Sequence, residues 1–546
     1  MSSLRELAEW KALQSHCDEI KPILMHSLFE MNPHRFDEFS LMYDGLFLDY
    51  SKNRITDTTL KLLIDLAQKR NLTEKIDALF SGKAINFTEN RPALHHALRL
   101  PKENNLFLNS TDINPFIQQA LNEMESLVQS VISGKFKGYT GETITDIVNI
   151  GIGGSHLGPL IVTEALKPHT INTLNLHFLS NIHSGNFQTI IKKINPARTL
   201  FIISSKTFTT IETLVNAECL QDWFTQISGN ANNFYKQTIA VTANKQQAIA
   251  WGIPENQILE FWEWVGGRYS VWSTIGLPIA LLIGMQNFRA FLAGAHAMDQ
   301  HFVSAQPNKN MPILLALLSI WYNNFFNIHS HVIIPYNYYL RYLPLYLQQL
   351  DMESNGKQIN DQGRAVDYAT GQVIWGEMGT NGQHAFHQLL HQGTQFIPAD
   401  FIIDSGQNTC NKNQDTILFA SCLGQSQALM QGISYEEVLA QSKNNNNANP
   451  QLALHKTHPG NRPSNTLLIN KLTPYNLGAL ITLYEHKTFV QAAIWGINPF
   501  DQWGVELAKK VTQDIYSEMN TLNESLSTTN ASTTGLLNIK KSWLNK

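Results

Sequence analysis

The sequence is poor in charge, in cysteine and in any surplus of basic residues. Only 15% of its 546 residues are charged, and 40 basic against 44 acidic side chains leave a formal charge of -4. Dedicated nucleic-acid binders carry a basic excess that neutralises phosphates, so no nucleic-acid partner is expected, although a small anion needs only a few local donors. The cysteines, Cys17, Cys219, Cys410 and Cys422, form no CxxC pair and no disulfide framework. That is the usage of a reduced, intracellular protein. Met1-Ser2-Ser3-Leu4-Arg5-Glu6-Leu7 holds no uninterrupted apolar region, so no secretory signal is expected there. The longest apolar stretch, 311–322, is broken by Pro312 and Ser319. It falls short of the roughly 20 residues of a membrane span and reads as a buried helix, with no membrane partner.

What the chain does have is apolar bulk, 43% of its residues, enough for more than one large core. Residues 4–130 carry mostly helical spacing. From 146 the rhythm changes. Strand-like runs at 146–150, 174–179, 199–203 and 239–242 alternate with helical patterns such as 157–166 and 210–225, which predicts βαβ units and a parallel sheet. Further runs at 331–334, 401–403, 415–420 and 466–469 predict a second one. The fold class expected is α/β, with two doubly wound domains and a helical N-terminal segment. Asn444-Asn445-Asn446-Asn447 before Pro450 predicts a surface loop, and the tail regains an apolar face only at Leu536, Leu537, Ile539, Trp543 and Leu544.

Six segments hold the residue types that chemistry uses. Gly151-Ile152-Gly153-Gly154-Ser155-His156-Leu157-Gly158-Pro159 follows a strand and opens a helix, where an anion can meet free N–H donors. Pro159 replaces the lysine of a P-loop and His156 the third glycine of a dinucleotide fingerprint, so the segment reads as a tight turn or as some other ligand loop. Ser204-Ser205-Lys206-Thr207-Phe208-Thr209-Thr210 packs hydroxyls and a lysine before the next helix. One or two caps would suffice there, whereas a phosphate monoester uses several donors at once. Arg268, after Gly266-Gly267, is either an ion-pair partner or an oxyanion clamp. Glu353 follows Leu350 by three on the stripe of Tyr339, Leu343, Tyr346 and Leu350. An inward, desolvated carboxylate there is a candidate general base, and an exposed helix end is the alternative. His384, His387 and His391 share a helix face. His387-Gln388-Leu389-Leu390-His391 has zinc-protease spacing but Gln in place of the required Glu, so no metal site is expected and a single acid–base histidine is favoured. Last, Gln502, Glu506, Lys509 and Lys510 cluster on a helical wheel; Glu506 and Lys510 form an ordinary i, i+4 pair, and Lys509 is either a site cation or a solvated one.

Together these segments resemble the phosphoglucose isomerase family. The matches run in family order over about 146–510: Ile150-Gly151-Ile152-Gly153-Gly154-Ser155, Ser205-Lys206-Thr207-Phe208-Thr209-Thr210, Gly266-Gly267-Arg268-Tyr269-Ser270, Met352-Glu353-Ser354-Asn355-Gly356-Lys357, Gly379-Thr380-Asn381-Gly382-Gln383-His384 and Asp501-Gln502-Trp503-Gly504-Val505-Glu506-Leu507. The resemblance implies a helical segment at 1–119, sugar-isomerase domains at 120–285 and 300–505, a C-terminal helix and arm at 506–546, and a cytoplasmic homodimer. It implies reversible conversion of glucose 6-phosphate to fructose 6-phosphate, in glycolysis and gluconeogenesis, by ring opening and a cis-enediol, without cofactor or metal. Ser205, Lys206, Thr207 and Thr210, with Gly154 and Ser155, would hold the phosphate. His384, helped by Lys509, would open the ring. Glu353 would carry the proton from C2 to C1, and Arg268 would stabilise the enediolate. Gly267, Gln502 and Glu212 would line the sugar site.

The chain departs from the family at His156, where Asp is usual, at Met378 in Glu377-Met378-Gly379, where Pro is usual, and at Ser180-Asn181-Ile182-His183-Ser184, where Asp-Gly is more common. Two alternatives remain open: a non-catalytic sugar-phosphate sensor, disfavoured by Glu353, His384 and Arg268 occurring together, and an isomerase of another phosphosugar such as mannose 6-phosphate.

Overall fold

The β-branched and aromatic runs become strands, and the order in which they pair fixes where a ligand can sit. The computed structural model describes residues 3–406, 412–444, 449–520 and 530–544. They belong to two compact units, 1–499 and 500–546. In the first unit a hairpin, β1 (Ser40–Tyr43) and β2 (Leu46–Asp49), and a short ladder, β3 (Phe107–Leu108) with β4 (Thr111–Asp112), precede two larger sheets. Strands β5 (Asp146–Ile150), β6 (Asn175–Leu179), β7 (Thr199–Ser204), β8 (Thr238–Thr242) and β9 (Ile258–Glu260) are all parallel, in the order β6-β5-β7-β8-β9. Strands β10 (Ser330–Pro335), β11 (Val373–Gly376), β12 (Ala399–Asp404) and β13 (Ser464–Ile469) form a second parallel set, which the hairpin extends antiparallel through β2.

Each parallel set has its second strand on one side of the first and its third on the other. That is doubly wound topology, in which ligands bind beyond the carboxyl ends of the strands where the order reverses. In the first sheet that point lies between β5 and β7. The strands β5, β7 and β8 are buried at every position, as central parallel strands covered on both faces must be.

Four details differ from the sequence reading. Residues 40–49, taken within a helical segment, form the hairpin that joins the second sheet. Its Asp44-Gly45 turn has φ of 44° and 87°, and two positive φ values are the type I′ geometry for which Asp-Gly is the sequence signal. Strands β3, β4, β9 and β11 were not expected. The run at 415–420 is helical, inside Lys412–Gln431; a short apolar run does not distinguish a strand from a helix by period alone. Among the described residues, the helix Thr274–Ser304, not 311–322, is the apolar segment long enough to span a membrane, and 78% of its most apolar window is buried in the protein. Cys17, Cys219 and Cys422 are free thiols, while Cys410 and Asn445 to Asn447 lie outside the described residues. In the second unit, helices Glu506–Asn520 and Ala531–Leu544 leave Leu507, Leu536, Trp543 and Leu544 more than half exposed.

Two long helices form the spine of the first unit. Leu277–Ser304 is bent at Gly284 (φ 79°), and Pro474–Trp495 is buried on every side. They touch through backbone: a Cβ on Gly294 would lie 1.8 Å from the Tyr475 carbonyl oxygen, and one on Gly478 would lie 2.0 Å from that of Phe291. Between them Arg99 is fully enclosed. Its guanidinium clasps Asp299 at 2.6 Å through two nitrogens and Glu485 at 2.7 Å. Glu485 also accepts the Trp272 indole N–H at 2.8 Å, and His486 meets Asp299 at 2.7 Å. Gly294→Ala should therefore overpack the spine and cost about 1–3 kcal/mol, read as a lower urea midpoint; an unchanged midpoint would show that the helices can separate freely.

Candidate active site

The glycine loop and the hydroxyl loop leave adjacent strands, β5 and β7, at the switch point of the first sheet, and one buried side chain ties them. Asn149 on β5 accepts from Ser204 Oγ at 3.1 Å and donates to the Ser155 carbonyl at 3.1 Å. The glycine loop is also pressed against the arginine segment: a Cβ on Gly154 would sit 1.9 Å from the Gly267 carbonyl oxygen. Only glycine permits that approach. Gly153 (φ 59°) precedes the helix Gly154–Ala165, so the first amides of that helix open at the loop.

In the hydroxyl loop the side chains do not serve as caps. Thr210 precedes the helix Ile211–Ser228 and makes no capping bond; its hydroxyl lies 3.2 Å from Ser205 Oγ. Thr209 Oγ1 donates to Thr207 Oγ1 at 2.7 Å. Phe208 takes φ 53°, left-handed for a non-glycine residue, and its ring is buried in the first core. Burial of the ring therefore holds a strained backbone in the loop. Among the described residues, the amides of Lys206, Thr207, Thr209 and Thr210 have no hydrogen-bond acceptor. Hydroxyls and free N–H groups thus line one short loop beside a helix N-terminus. Lys206 is different from expectation. Its ammonium is turned to the Glu263 and Val265 carbonyls, at 2.7 and 3.0 Å, and lies 3.5 Å from the Glu263 carboxylate. Burial pushes its pKa down.

Arg268 and Glu353 face each other. Arg268 lies in the 3-10 turn Gly267–Trp272 with its side chain 1% exposed, and its Nη1 is 3.5 Å from Glu353 Oε1. Nε donates to Ser354 Oγ at 2.7 Å, and Nη2 donates to the Pro499 carbonyl. Tyr269 stacks on His95 at 4.5 Å and shares Ser354 Oγ at 3.0 Å; burial raises the Tyr269 pKa. Glu353 is 24% exposed, so it faces inward while remaining reachable. The expected aromatic helix is instead a 3-10 turn, Tyr338–Leu340, a short α-helix, Leu343–Leu347, and a π-helical turn, Gln348–Glu353. Such π turns often sit at functional sites.

Among the described residues of the first unit, His384 and Glu212 form no hydrogen bond or ion pair with this cluster. His384 ends the short helix Gly379–Gln383 and is exposed. His387 and His391 both turn to the Gln425 amide, at 3.0 and 2.8 Å. Glu212 lies in the first turn of Ile211–Ser228, half-buried. Gly267 has open space where a Cβ would be. Gln502 and Lys509 belong to the second unit, where Lys509 is exposed and pairs with Glu506 at 2.7 Å.

Two residues escaped the sequence reading. Ser354, the partner of Arg268, carried no signal beyond its place in the motif. Gln349 has a buried Oε1 without a hydrogen-bond partner, and its Nε2 would lie 3.2 Å from a Cβ on Gly153. An unsatisfied amide oxygen beside a glycine loop has the chemistry of a hydroxyl acceptor. The departures are accommodated. Met378 adopts φ -52° and ψ 139°, angles a proline could hold. His156 packs on Phe178 at 5.3 Å, and burial lowers its pKa. His183 caps the helix Ser184–Ile191.

The family model described as phosphoglucose isomerase matches residues 49–537. Glucose-6-phosphate isomerases of Shewanella sp. (strain ANA-3) and Shewanella oneidensis are 51% and 52% identical over 543 residues, 99% of this chain and 99% of each relative. A solved glucose-6-phosphate isomerase from Chlamydia trachomatis superposes with a TM-score of 0.85 at 29% identity, over 99% of this chain and 100% of that one. A hypothetical protein from Thermus thermophilus shares the fold, with a TM-score of 0.63 at 21% identity over 86% of this chain and all of its own. A match that spans nearly the whole sequence, with relatives aligned from end to end, makes this chain a member of the phosphoglucose isomerase family.

Proposed function

We propose a division of labour for the interconversion of glucose 6-phosphate and fructose 6-phosphate, the reaction of the family to which this chain belongs and a step of glycolysis and gluconeogenesis. The phosphate lies on the hydroxyls of Ser155, Ser205, Thr207 and Thr210 and on the main-chain amides of Gly154, Lys206 and Thr207. The Lys206 ammonium fastens the segment leading to Arg268. Gly267 leaves room for the sugar, and Gln349, Gln502 and Glu212 line it. His384, helped by Lys509, moves a proton at the ring oxygen to open the pyranose. Glu353 then takes the proton from C2 as the C1 carbonyl becomes an enediolate, the hydroxyl proton passes from O2 to O1, and Glu353 returns its proton to C1 as the C2 carbonyl forms. Arg268 neutralises the oxyanion between these steps.

One observation carries the reading: a buried guanidinium, fixed by Ser354 and Pro499, lies 3.5 Å from an inward carboxylate. A weak carbon acid needs such a base and cation together. We further propose a cytoplasmic homodimer whose sugar-isomerase domains, 120–285 and 300–505, divide near the bend at Gly284. A monomer mass in sedimentation equilibrium would remove the dimer, recovery with membranes the location, and hydrogen exchange opening both sheets as one unit the division.

Glu353→Gln should keep the unfolding midpoint and the binding of sugar phosphate while lowering turnover about 10²–10⁴-fold. In D₂O without added metal, the unsubstituted protein should introduce deuterium at C2 of glucose 6-phosphate and the variant should not. Near-normal turnover would remove Glu353 as the base. Ser354→Ala leaves a charged donor without its acceptor, a loss of about 1.5–3 kcal/mol. If it falls on the transition state, kcat drops about 10- to 100-fold; an unchanged kcat would show that Arg268 needs no anchor at Nε.

A further inference from the structure

We propose that the buried ion pair between Asp351 and Lys487 is a positioning device that sets where the Glu353 carboxylate stands. The proposal rests on Glu353 as the base. Lys487 lies on the helix Pro474–Trp495 and Asp351 in the π-helical turn Gln348–Glu353, two positions before the carboxylate that does the chemistry. Their charged atoms are 3.3 Å apart, and the side chains are 2% and 5% exposed. Asn355 Nδ2 donates to Asp351 at 3.2 Å and to Gln491 of the same long helix at 3.3 Å. At the far end of the turn the Lys357 ammonium takes the carbonyls of Glu353 and Ser354, at 2.8 and 3.0 Å. The turn is thus gripped through its side chains on one side and through its last carbonyls on the other.

Three physical points separate this grip from ordinary packing. A π turn is rare, occurs mostly as a single turn and is frequent at functional sites. A buried ion pair is a poor stabiliser, because its desolvation commonly exceeds its attraction, and apolar residues of similar volume usually serve stability as well or better. Its best-attested use is to fix one register against others. The register fixed here is that of Glu353 and of Ser354, the anchor of Arg268, so a slip in the turn would move the base and the cation's anchor together. The pair touches neither the cradle nor Arg268, which makes its residues positioning residues.

The test is the double variant Asp351→Leu/Lys487→Met, with [2-²H]glucose 6-phosphate as substrate. Mass spectrometry of the product gives the fraction of deuterium carried from C2 to C1. That fraction does not depend on how much enzyme is folded, so a purely structural defect leaves it unchanged. The double variant should melt at or above the unsubstituted temperature. Its KM should stay within threefold, its kcat should fall at least tenfold and the transferred fraction should at least halve. An unchanged kcat and transferred fraction overturn the proposal. If the apolar pair does not fold, Asp351→Asn/Lys487→Gln supplies an uncharged pair of the same size. A smaller loss of transferred deuterium is then expected, and an unchanged fraction again overturns the proposal. Glu353→Gln in parallel separates the two readings. Full activity there removes the base assignment, whereas an inactive Glu353→Gln beside a normal double variant removes only the positioning role.

Discussion

A guanidinium sealed from water has to be compensated, and at Arg268 the compensation is arranged asymmetrically. Ser354 takes Nε and the Pro499 carbonyl takes Nη2, whereas the Glu353 carboxylate stands off at 3.5 Å from Nη1. A charge-assisted hydrogen bond would close to about 2.7–2.9 Å. Glu353 is therefore close enough to offset the buried charge without being locked to it. A carboxylate locked to a cation is a weak base, and a cation with no acceptor nearby would be expensive to bury. The geometry lies between these extremes. In the reaction proposed above, negative charge grows on the substrate oxygen as the proton leaves C2, and the guanidinium gains an acceptor as Glu353 loses its own charge. Net charge around Arg268 stays constant through the step, so little reorganisation is required.

The core keeps that geometry. The turn Gly267–Trp272 begins with the glycine against which Gly154 packs and ends with Trp272, whose indole donates to Glu485. Arg99 lies over the Trp272 ring at 4.8 Å and grips both Glu485 and Asp299. A continuous line of directional contacts thus runs from the two long helices to the loop that carries Arg268. Apolar packing alone would tolerate small rotations of that turn; hydrogen bonds to charged groups, at fixed angles and short distances, do not. Because interiors are close-packed, a shift at Gly294 or Gly478 would pass along the same line.

Much of this architecture was legible because the signals were local. The run Asp146-Ile147-Val148-Asn149-Ile150 followed at once by glycine, and the run before Ser204, each announced a strand with its loop, whereas their adjacency is given by the sheet order. The spacing to Leu350 left Glu353 open between an inward carboxylate and an exposed helix end; its side chain is 24% exposed and 3.5 Å from Arg268, and no sequence period marks the π turn that carries it. The Asp44-Gly45 hairpin was present as a signal but lay inside a helical stretch. The direction of the Lys206 ammonium was not legible at all. A lysine amid hydroxyls looks like a phosphate ligand, and only the fold brings the Glu263 and Val265 carbonyls within its reach. Gln349 and Lys487 were invisible for the same reason: their meaning lies in partners far away in sequence.

Where the cations stand bears on catalysis rather than on affinity. The phosphate carries the same charge in substrate, enediolate and product, so a lysine placed on it would strengthen binding equally in all three states. Uniform binding lowers KM without raising kcat. In the proposed cradle, amides and hydroxyls orient the phosphate through many directional donors, and the Lys206 ammonium holds the Glu263 and Val265 carbonyls. The buried guanidinium facing Glu353 is proposed to act instead where charge appears only between reactant and product. A chain with a formal charge of -4 and few charged residues can bind an anionic sugar in this way. Its cations do not have to outnumber its carboxylates if the local one is desolvated, held by its neighbours and aimed at the atom whose charge changes.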